Sequence, residues 1–421
     1  MQAEIRIERF ADQGRCVGHI DGRVVFVRFA LPGELLRVTV DEPHDREDRF
    51  WTAEVDEVIE ASPERVPYAW PLAGPLSSGG GVGGVGGADL CHVSLDGQLA
   101  WKSQIVKEQI SRLGRQDVDV PISRPDDDGS RGGLHWRTRI EMIADEQGLP
   151  SMRRRGTHQR VRVHDMPLAS KALLDIAQEQ GVWNTSFVPG THIRLSVPEP
   201  RAGVEAEDNF GLLTNDELQA GKQQLVEGVR VDGRLFTYQV DASGFWQVHL
   251  DAPQTLAQEV IDLVRSQVGD DSHPCIWDLY SGSGLFTLPL ATVVGGGAKV
   301  LSVEGAKVAV RNARRNLREM NINHVDVRCG DVSATLNHLP SNLSAPDVVV
   351  LDPPRAGARS RVCHQIADAA AKAVVYVACD PTSLARDIGT FCKLGYTLRH
   401  IRAFDIYPMT HHVETVAMLT R

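Results

Sequence analysis

The sequence predicts an α/β protein: a doubly wound parallel-sheet domain at the C-terminal end, preceded by a small β-barrel and a central α+β region. Three observations carry this. Residues 1–62 alternate apolar and polar side chains in short runs broken by glycine turns. From about residue 251 strands alternate with helices, which is the pattern of a parallel sheet. A glycine loop and then a series of acids stand at the ends of successive strands in that second part. The expected boundaries are 1–62 (barrel), 63–93 (Gly-rich linker), 94–114 (a helix), 115–250 (central region) and 251–421 (doubly wound domain).

The barrel rests on the runs EIRIERF, GRVVFVRF, ELLRVTV and FWTAEVDEVIE, with turns DQG, IDG and LPG between several of them. Small barrels often bind oligonucleotides, but the pattern fits any barrel. The tract PLAGPLSSGGGVGGVGGA (71–88) is too poor in apolar side chains to bury a core and predicts a flexible linker. A helix follows over Ser94–Leu113, with Leu95, Leu99, Ile105, Val106, Ile110 and Leu113 along one face. The central region reads as mixed, with strands at RTRIEMIAD, THIRLSV and LFTYQVDA, and ends in GFWQVHL. The last part runs helix 255–267, strand IWDLY, a helix after Gly284, strand KVLSVE, helix 306–319, strands VDVRCGD and PDVVVLD, helix 360–372, strand AVVYVAC and helix 381–393. No internal repeat is visible.

Composition narrows the function class. The 42% hydrophobic and 24% charged content is that of an ordinary globular protein. No signal-peptide core and no run of about 18 apolar residues is present, so neither export nor a membrane span is expected. The seven cysteines (Cys16, Cys91, Cys275, Cys329, Cys363, Cys379 and Cys392) are scattered, as in reduced cytoplasmic proteins. A net charge of −10 argues against a protein that coats nucleic acid. Yet residues 131–163 hold eight arginines against three acids, a local +5 that suits a polyanion-facing surface as well as a merely solvated face.

The chemistry begins at IWDLYSGSGLFTLPLA (276–291). Gly282-Ser283-Gly284 joins a strand to a helix, where glycine lets a ligand approach backbone at the carboxyl edge of a parallel sheet. The next strand ends in Glu304, 24 residues after Tyr280, where an acid can accept both ribose hydroxyls. Asp331 closes another strand and can reach an adenine amino group. A nicotinamide dinucleotide would use similar features, but Thr287 stands where GxGxxG needs its third glycine. VVVLDPPRAGA puts Asp352 at the end of a buried strand, and VVYVACDPTSLARDI puts Cys379 at the next, with Pro381 opening a helix. A thiol beside a helix N-terminus favours thiolate. Cys275, Cys329, Cys363 and Cys392 read as inert by contrast.

Together DLYSGSGLFTLPLA, LDPPRAG, YVACDPTSLARDI and DIYPMTHHVETVAML resemble the RNA uracil-C5 methyltransferases, over essentially the whole chain. The N-terminal part, through RFALPGE, looks like that family's RNA-binding TRAM barrel. The resemblance implies a Rossmann-like methyltransferase domain, S-adenosyl-L-methionine as cofactor and structured RNA as partner, with 23S rRNA favoured over tRNA. It assigns Cys379 as the nucleophile that adds to uracil carbon 6 and Glu414 as the base that removes the carbon-5 proton. Such a nucleophile is needed because carbon 5 attacks a methyl sulfonium only once the ring is an enolate. Gln247, Tyr280, Gly282, Glu304, Asp331 and Asp352 are the implied cofactor or uracil contacts. Leu285 stands where some members carry asparagine.

Arg153, Arg154 and Arg155 are expected on the RNA backbone. Trp136 and Trp246 are candidates for stacking on bases, with core packing as the alternative. Many members hold an iron–sulfur cluster on four cysteines. Here three of the positions fall within YAWPLAG and the glycine tract through Ala88, and the fourth is Met166. Cys91 alone cannot hold a cluster, so none is expected and no metal site is assigned. Two other functions are open: a relative that binds RNA without catalysis, and a cytosine-C5 methyltransferase, which would need a cysteine in the Asp352-Pro353-Pro354-Arg355 loop. A cytoplasmic monomer is expected.

Overall fold

The structure, a computed structural model, describes residues 1–41, 48–79, 83–269, 273–294 and 297–421. Strands β1 (Gln2–Ala11), β2 (Arg15–Ile20), β3 (Arg23–Arg28), β4 (Leu35–Val40) and β5 (Trp51–Glu60) close into a barrel in the order β1-β2-β3-β5-β4. Period-two alternation sends Ile5, Ile7, Val25, Val27, Leu36 and Val38 into its core. β2 is the strand that alternation does not predict, because Gly18 interrupts RCVGHI. Glycine is needed there: a Cβ would stand 2.5 Å from the Arg6 carbonyl oxygen on the neighbouring strand.

Helix α1 (Leu95–Arg112) starts where Ser94 Oγ accepts from Gly97 N at 3.0 Å, an N-cap. Its buried face holds Trp101, Ile105, Val106 and Ile110, as the spacing predicts for the second half. In the first half Gln98 and Lys102 are buried, while Leu95 and Leu99 are only half-buried. Then come β6 (Ile122–Ser123), α2 (Asp126–Ser130), β7 (Arg139–Ala144), β8 (Pro150–Arg153), β9 (Arg160–Arg162), α3 (Lys171–Glu179), β10 (His192–Ser196), β11 (Gly211–Thr214) and β12 (Glu217–Gly221). Six of these strands form one sheet in the order β12-β11-β10-β7-β8-β9. β13 (Gln224–Val231) and β14 (Arg234–Asp241) pair as a hairpin.

The glycine tract differs from the free linker its composition predicts. Within its described part Ala73, Val85 and Ala88 are buried in one apolar cluster with Trp70, Cys91, Trp136 and Met166. A few apolar side chains suffice because the central region supplies the rest of the cluster.

The C-terminal part runs α4 (Ala252–Val268), β15 (Cys275–Leu279), α5 (Thr287–Val293), β16 (Lys299–Glu304), α6 (Lys307–Glu319), β17 (Val325–Cys329), α7 (Val332–Leu336), β18 (Val348–Leu351), α8 (Arg359–Asp368), β19 (Ala373–Ala378), α9 (Pro381–Lys393), β20 (Thr397–Phe404) and β21 (Glu414–Thr420). They build a sheet in the order β17-β16-β15-β18-β19-β21-β20-β6. β15 to β19 are parallel, and β21 runs antiparallel between β19 and β20. Both faces are covered. Ile276, Val348 and Val350 face one core, and Trp277, Val349 and Leu351 face the other.

Strand order reverses between β15 and β18, so a ligand crevice is expected at their carboxyl ends. α1 lies against α9 through glycine: a Cβ on Gly114 would stand 2.7 Å from Ile110 O and 3.3 Å from Ala385 O. The barrel's helix is thereby held to the doubly wound domain.

Candidate active site

The crevice is framed by backbone in the left-handed region. Tyr280 follows β15 with φ of 63°, an uncommon conformation for a bulky residue. Gly282 follows at φ 55°, and a Cβ there would meet nothing within 4 Å, so space opens above the loop. Gly282 N donates to Glu304 Oε2 at 3.0 Å, and Ala306 N to Glu304 Oε1 at 2.6 Å, which aims the carboxylate at the loop. Behind them Asp278 is buried. Thr287 Oγ1 donates to one of its oxygens, and the other has no partner among the described residues.

Acid accumulates here. Burial, with the Glu304 charge, pushes Asp278 up to about 7. Burial, then Asp278 and Glu304, pushes Asp352 up to about 7 as well. Carboxylate acceptors at neighbouring strand ends, with glycine-opened space between them, fit a nucleoside that carries a cationic sulfur. Asp278 is the member that sequence reasoning missed, although its place in the DLYSGSG segment could have revealed it.

Cys379 and Glu414 meet through strand pairing. Ala378 on β19 pairs with Thr415 on β21, so the next residues in the antiparallel register are Cys379 and Glu414. Sequence spacing puts a thiol near a helix N-terminus and predicts a lowered pKa. The structure reverses that. Burial, then the charges of Glu414 and Asp352, pushes the Cys379 thiol up to about 12, and Arg355 only partly opposes them. Glu414 is itself held well above the usual carboxylate range, by burial and by Asp352. Tyr407 Oη donates to its Oε2 at 3.4 Å.

Because the thiol pKa is raised, thiolate is scarce at neutral pH and grows about tenfold per pH unit. In a Cys329→Ser background, iodoacetamide labelling of Cys379, followed by mass spectrometry, is expected to climb steadily from pH 7 to 10. Glu414→Gln is expected to speed labelling at fixed pH by removing a repelling charge. Levelling off below pH 9 would contradict the geometry.

Cys379 opens on a cleft of about 400 Å³ whose walls also carry Arg355, His411 and His412 and, from the barrel, Arg15 and Arg28. Its floor uses groups with no signal in the local sequence. Lys102 is fully buried on α1, where it pairs with Asp405 and donates to Tyr407 O at 3.0 Å. Asp89, at the end of the glycine tract, accepts from His411 Nδ1 at 2.5 Å and His411 N at 2.8 Å. These bonds fasten the segment leading into β21, and so Glu414, to the barrel side of the molecule.

Several predicted site residues stand elsewhere or are already engaged. Arg155 is turned inward: it donates to Ala73 O and Val85 O at 2.7 Å each and to Gly74 O at 2.8 Å, with Glu54 at 3.5 Å and Phe29 beneath it. It clasps the glycine tract to the barrel and is not free for an RNA phosphate. Arg154 Nε donates to Gly83 O at 3.1 Å, whereas Arg153 is exposed. The sequence cluster of arginines therefore disperses, since Arg139 is also buried on Glu227 and Arg131 is paired with Asp128.

Gln247 lines a separate small cavity with Glu227 and Arg201, not the Cys379 cleft. Asp331 spends one oxygen capping α7, accepting from Ala334 N at 2.8 Å. Trp136 and Trp246 are core residues, stacked on His249 and packed on Tyr238 respectively. Around Cys91 the described residues offer Trp70, Ala73, Val85, Ala88 and Met166, a set that does not fit four-thiolate ligation. Arg155→Ala is expected to cost on the order of 2–4 kcal/mol, since it strands buried carbonyls and Glu54. A lower melting temperature with early proteolysis in 71–88 would register it.

Comparison with known proteins settles the class. The tRNA (uracil-5-)-methyltransferase family model matches residues 211–421, and the TRAM domain model matches residues 2–46. An RNA methyltransferase of Bifidobacterium longum is 65% identical, over 100% of this chain and 97% of its own. The chain belongs to the RNA uracil-C5 methyltransferase family. It is thus an S-adenosylmethionine-dependent RNA (uracil-5-)-methyltransferase with an N-terminal TRAM barrel.

A further relative in this family, the 23S rRNA (uracil(1939)-C(5))-methyltransferase RlmD of Halomonas elongata, is 30% identical over 99% of this chain and 89% of its own. In fold, the chain is similar to the tRNA (uracil-54, C5)-methyltransferase of Pyrococcus abyssi, crystallised with S-adenosyl-L-homocysteine. The TM-score is 0.68 at 21% identity, with 100% of both chains covered. The nicotinamide alternative is set aside by the family match.

Proposed function

We propose that this methyltransferase modifies carbon 5 of one uridine in 23S rRNA, with Cys379 as nucleophile and Glu414 as base. The observation that carries the reading is the cross-strand pairing that sets Cys379 beside Glu414 at the crevice edge. The thiolate of Cys379 adds to uracil carbon 6, and the ring electron pair moves to carbon 5 and oxygen 4. S-adenosylmethionine, when bound, supplies the electrophilic methyl group that carbon 5 takes. Glu414 then accepts the carbon-5 proton, the sulfur–carbon bond breaks, and its electron pair returns to Cys379. A carboxylate of high pKa suits a proton held on carbon.

Glu304, Asp331 and Tyr280, with the Gly282 loop, line the cofactor's place in this reading, and Asp352 stands between cofactor and uracil. Gln247 would have to turn toward the crevice to join them. Arg153 is the member of its triplet best exposed for RNA. The rRNA target is favoured by the Halomonas relative, and a tRNA uridine is the second reading, favoured by the fold shared with the Pyrococcus enzyme. Work as a monomer in the cytoplasm belongs to the same reading. Among the described residues no helix is long and apolar enough to cross a membrane. Mapping 5-methyluridine in RNA from a deletion strain tests the proposal: one site in 23S rRNA should lose its methyl group and regain it on complementation. Loss only in tRNA would favour the second reading.

A further inference from the structure

The barrel wall facing Cys379 carries an arrangement that costs stability. Arg15 on β2 and Arg28 on β3 are direct cross-strand partners, and both line the Cys379 cleft. Like charges placed opposite one another on a sheet are destabilising. Arg28 lowers the Arg15 pKa, after burial, which registers the same repulsion. Two other cations of the cleft are committed elsewhere: Lys102 pairs with Asp405, and Arg155 clasps the glycine tract. The cleft acids are engaged too. Asp89 is held by His411, Asp380 caps α9 through Ser383 N, and Asp12 Oδ1 accepts from Gln13 N. Among the described residues Arg15 reaches Gln13 Oε1 and the Asp12 carbonyl, lies over the Phe26 ring at 5.1 Å and feels the Asp12 charge, which opposes that of Arg28, while Arg28 has Asp41 at a long 3.4 Å. Arg355, on the loop after Asp352, is exposed and among the described residues bonds to the His412 ring, so it adds a third charge to the cleft.

We propose that Arg15, Arg28 and Arg355 form a phosphate clamp across the cleft, gripping the RNA backbone beside the uridine presented to Cys379. An anion between the guanidiniums turns a repulsive pair into a shared bidentate contact. This makes the barrel a wall of the substrate site and not a remote tether. It also supplies binding that helps offset the cost of unstacking the target base. The inference rests on the RNA uridine reading above and assigns the residues that position the substrate.

The test uses full-length enzyme, S-adenosylmethionine and total RNA from a deletion strain. The Arg15→Ala/Arg28→Ala double variant is expected to raise KM for RNA about tenfold or more while kcat changes little. The salt dependence of RNA binding should flatten by about one unit of log–log slope per arginine removed. Arg28→Glu supplies an internal partner for Arg15. It should melt at or above the wild-type temperature yet bind RNA more weakly, an outcome that mere structural damage would not give. Unchanged KM and salt slope in both variants, with wild-type enzyme active, would overturn the clamp and leave the proposed reaction standing. Wild-type enzyme that methylates no uridine in this RNA would overturn both.

Discussion

Cys379→Ala is expected to lower methyl transfer to RNA by roughly 10⁴-fold or more, because in the proposed mechanism it removes the covalent route and not a contact that assists it. The groups proposed to hold the cofactor stand at the ends of β15 and β16 and on the loop after β18, so cofactor binding should persist in the variant. RNA containing 5-fluorouridine gives the sharper readout. Fluorine at carbon 5 cannot leave as a proton, so the addition product is not released and wild-type enzyme should accumulate a denaturant-stable complex. The variant should form none. Turnover surviving in Cys379→Ala would remove the thiol from the reaction.

Glu414→Gln should separate the two halves of the reaction. Addition needs the thiolate, and Glu414 is one of the charges that suppress it. Release needs a base, worth about 10²–10⁴-fold. The variant is therefore expected to trap natural uridine RNA as a covalent complex carrying a labelled methyl group, while multiple turnover falls by that factor. A variant that releases methylated RNA at the wild-type rate would move the base elsewhere, Asp352 being the nearest carboxylate in charge terms.

What was legible followed from local periodicity. Helix 381–393 is present with those bounds, and the strands ending near Tyr280, Glu304, Asp352 and Cys379 follow in the expected order. Buried parallel strands are continuous apolar runs, so their ends are easy to find, and ligands sit at those ends. The Gly18 strand was not legible because the reason for its glycine, the Arg6 carbonyl, lies on another strand. The arginine run misled for a related cause. Charge along a chain says nothing of where guanidiniums point, and Arg155 points at carbonyls 70 to 82 residues away in sequence. The glycine tract misled because its few apolar side chains are buried by partners the central region supplies.

By itself the sequence determined the doubly wound domain, the barrel ahead of it, and which acids and which thiol end the strands, since these depend on periods of 2 and 3.6 residues. Only the tertiary structure decided how those groups are charged and held. Burial beside Glu414 and Asp352 raises a thiol that its helix N-terminus alone would lower. Lys102 and Asp89 fasten the cleft through partners some 300 residues along the chain. Desolvation and long-range pairing are properties of the folded interior, and no local run of residues encodes them.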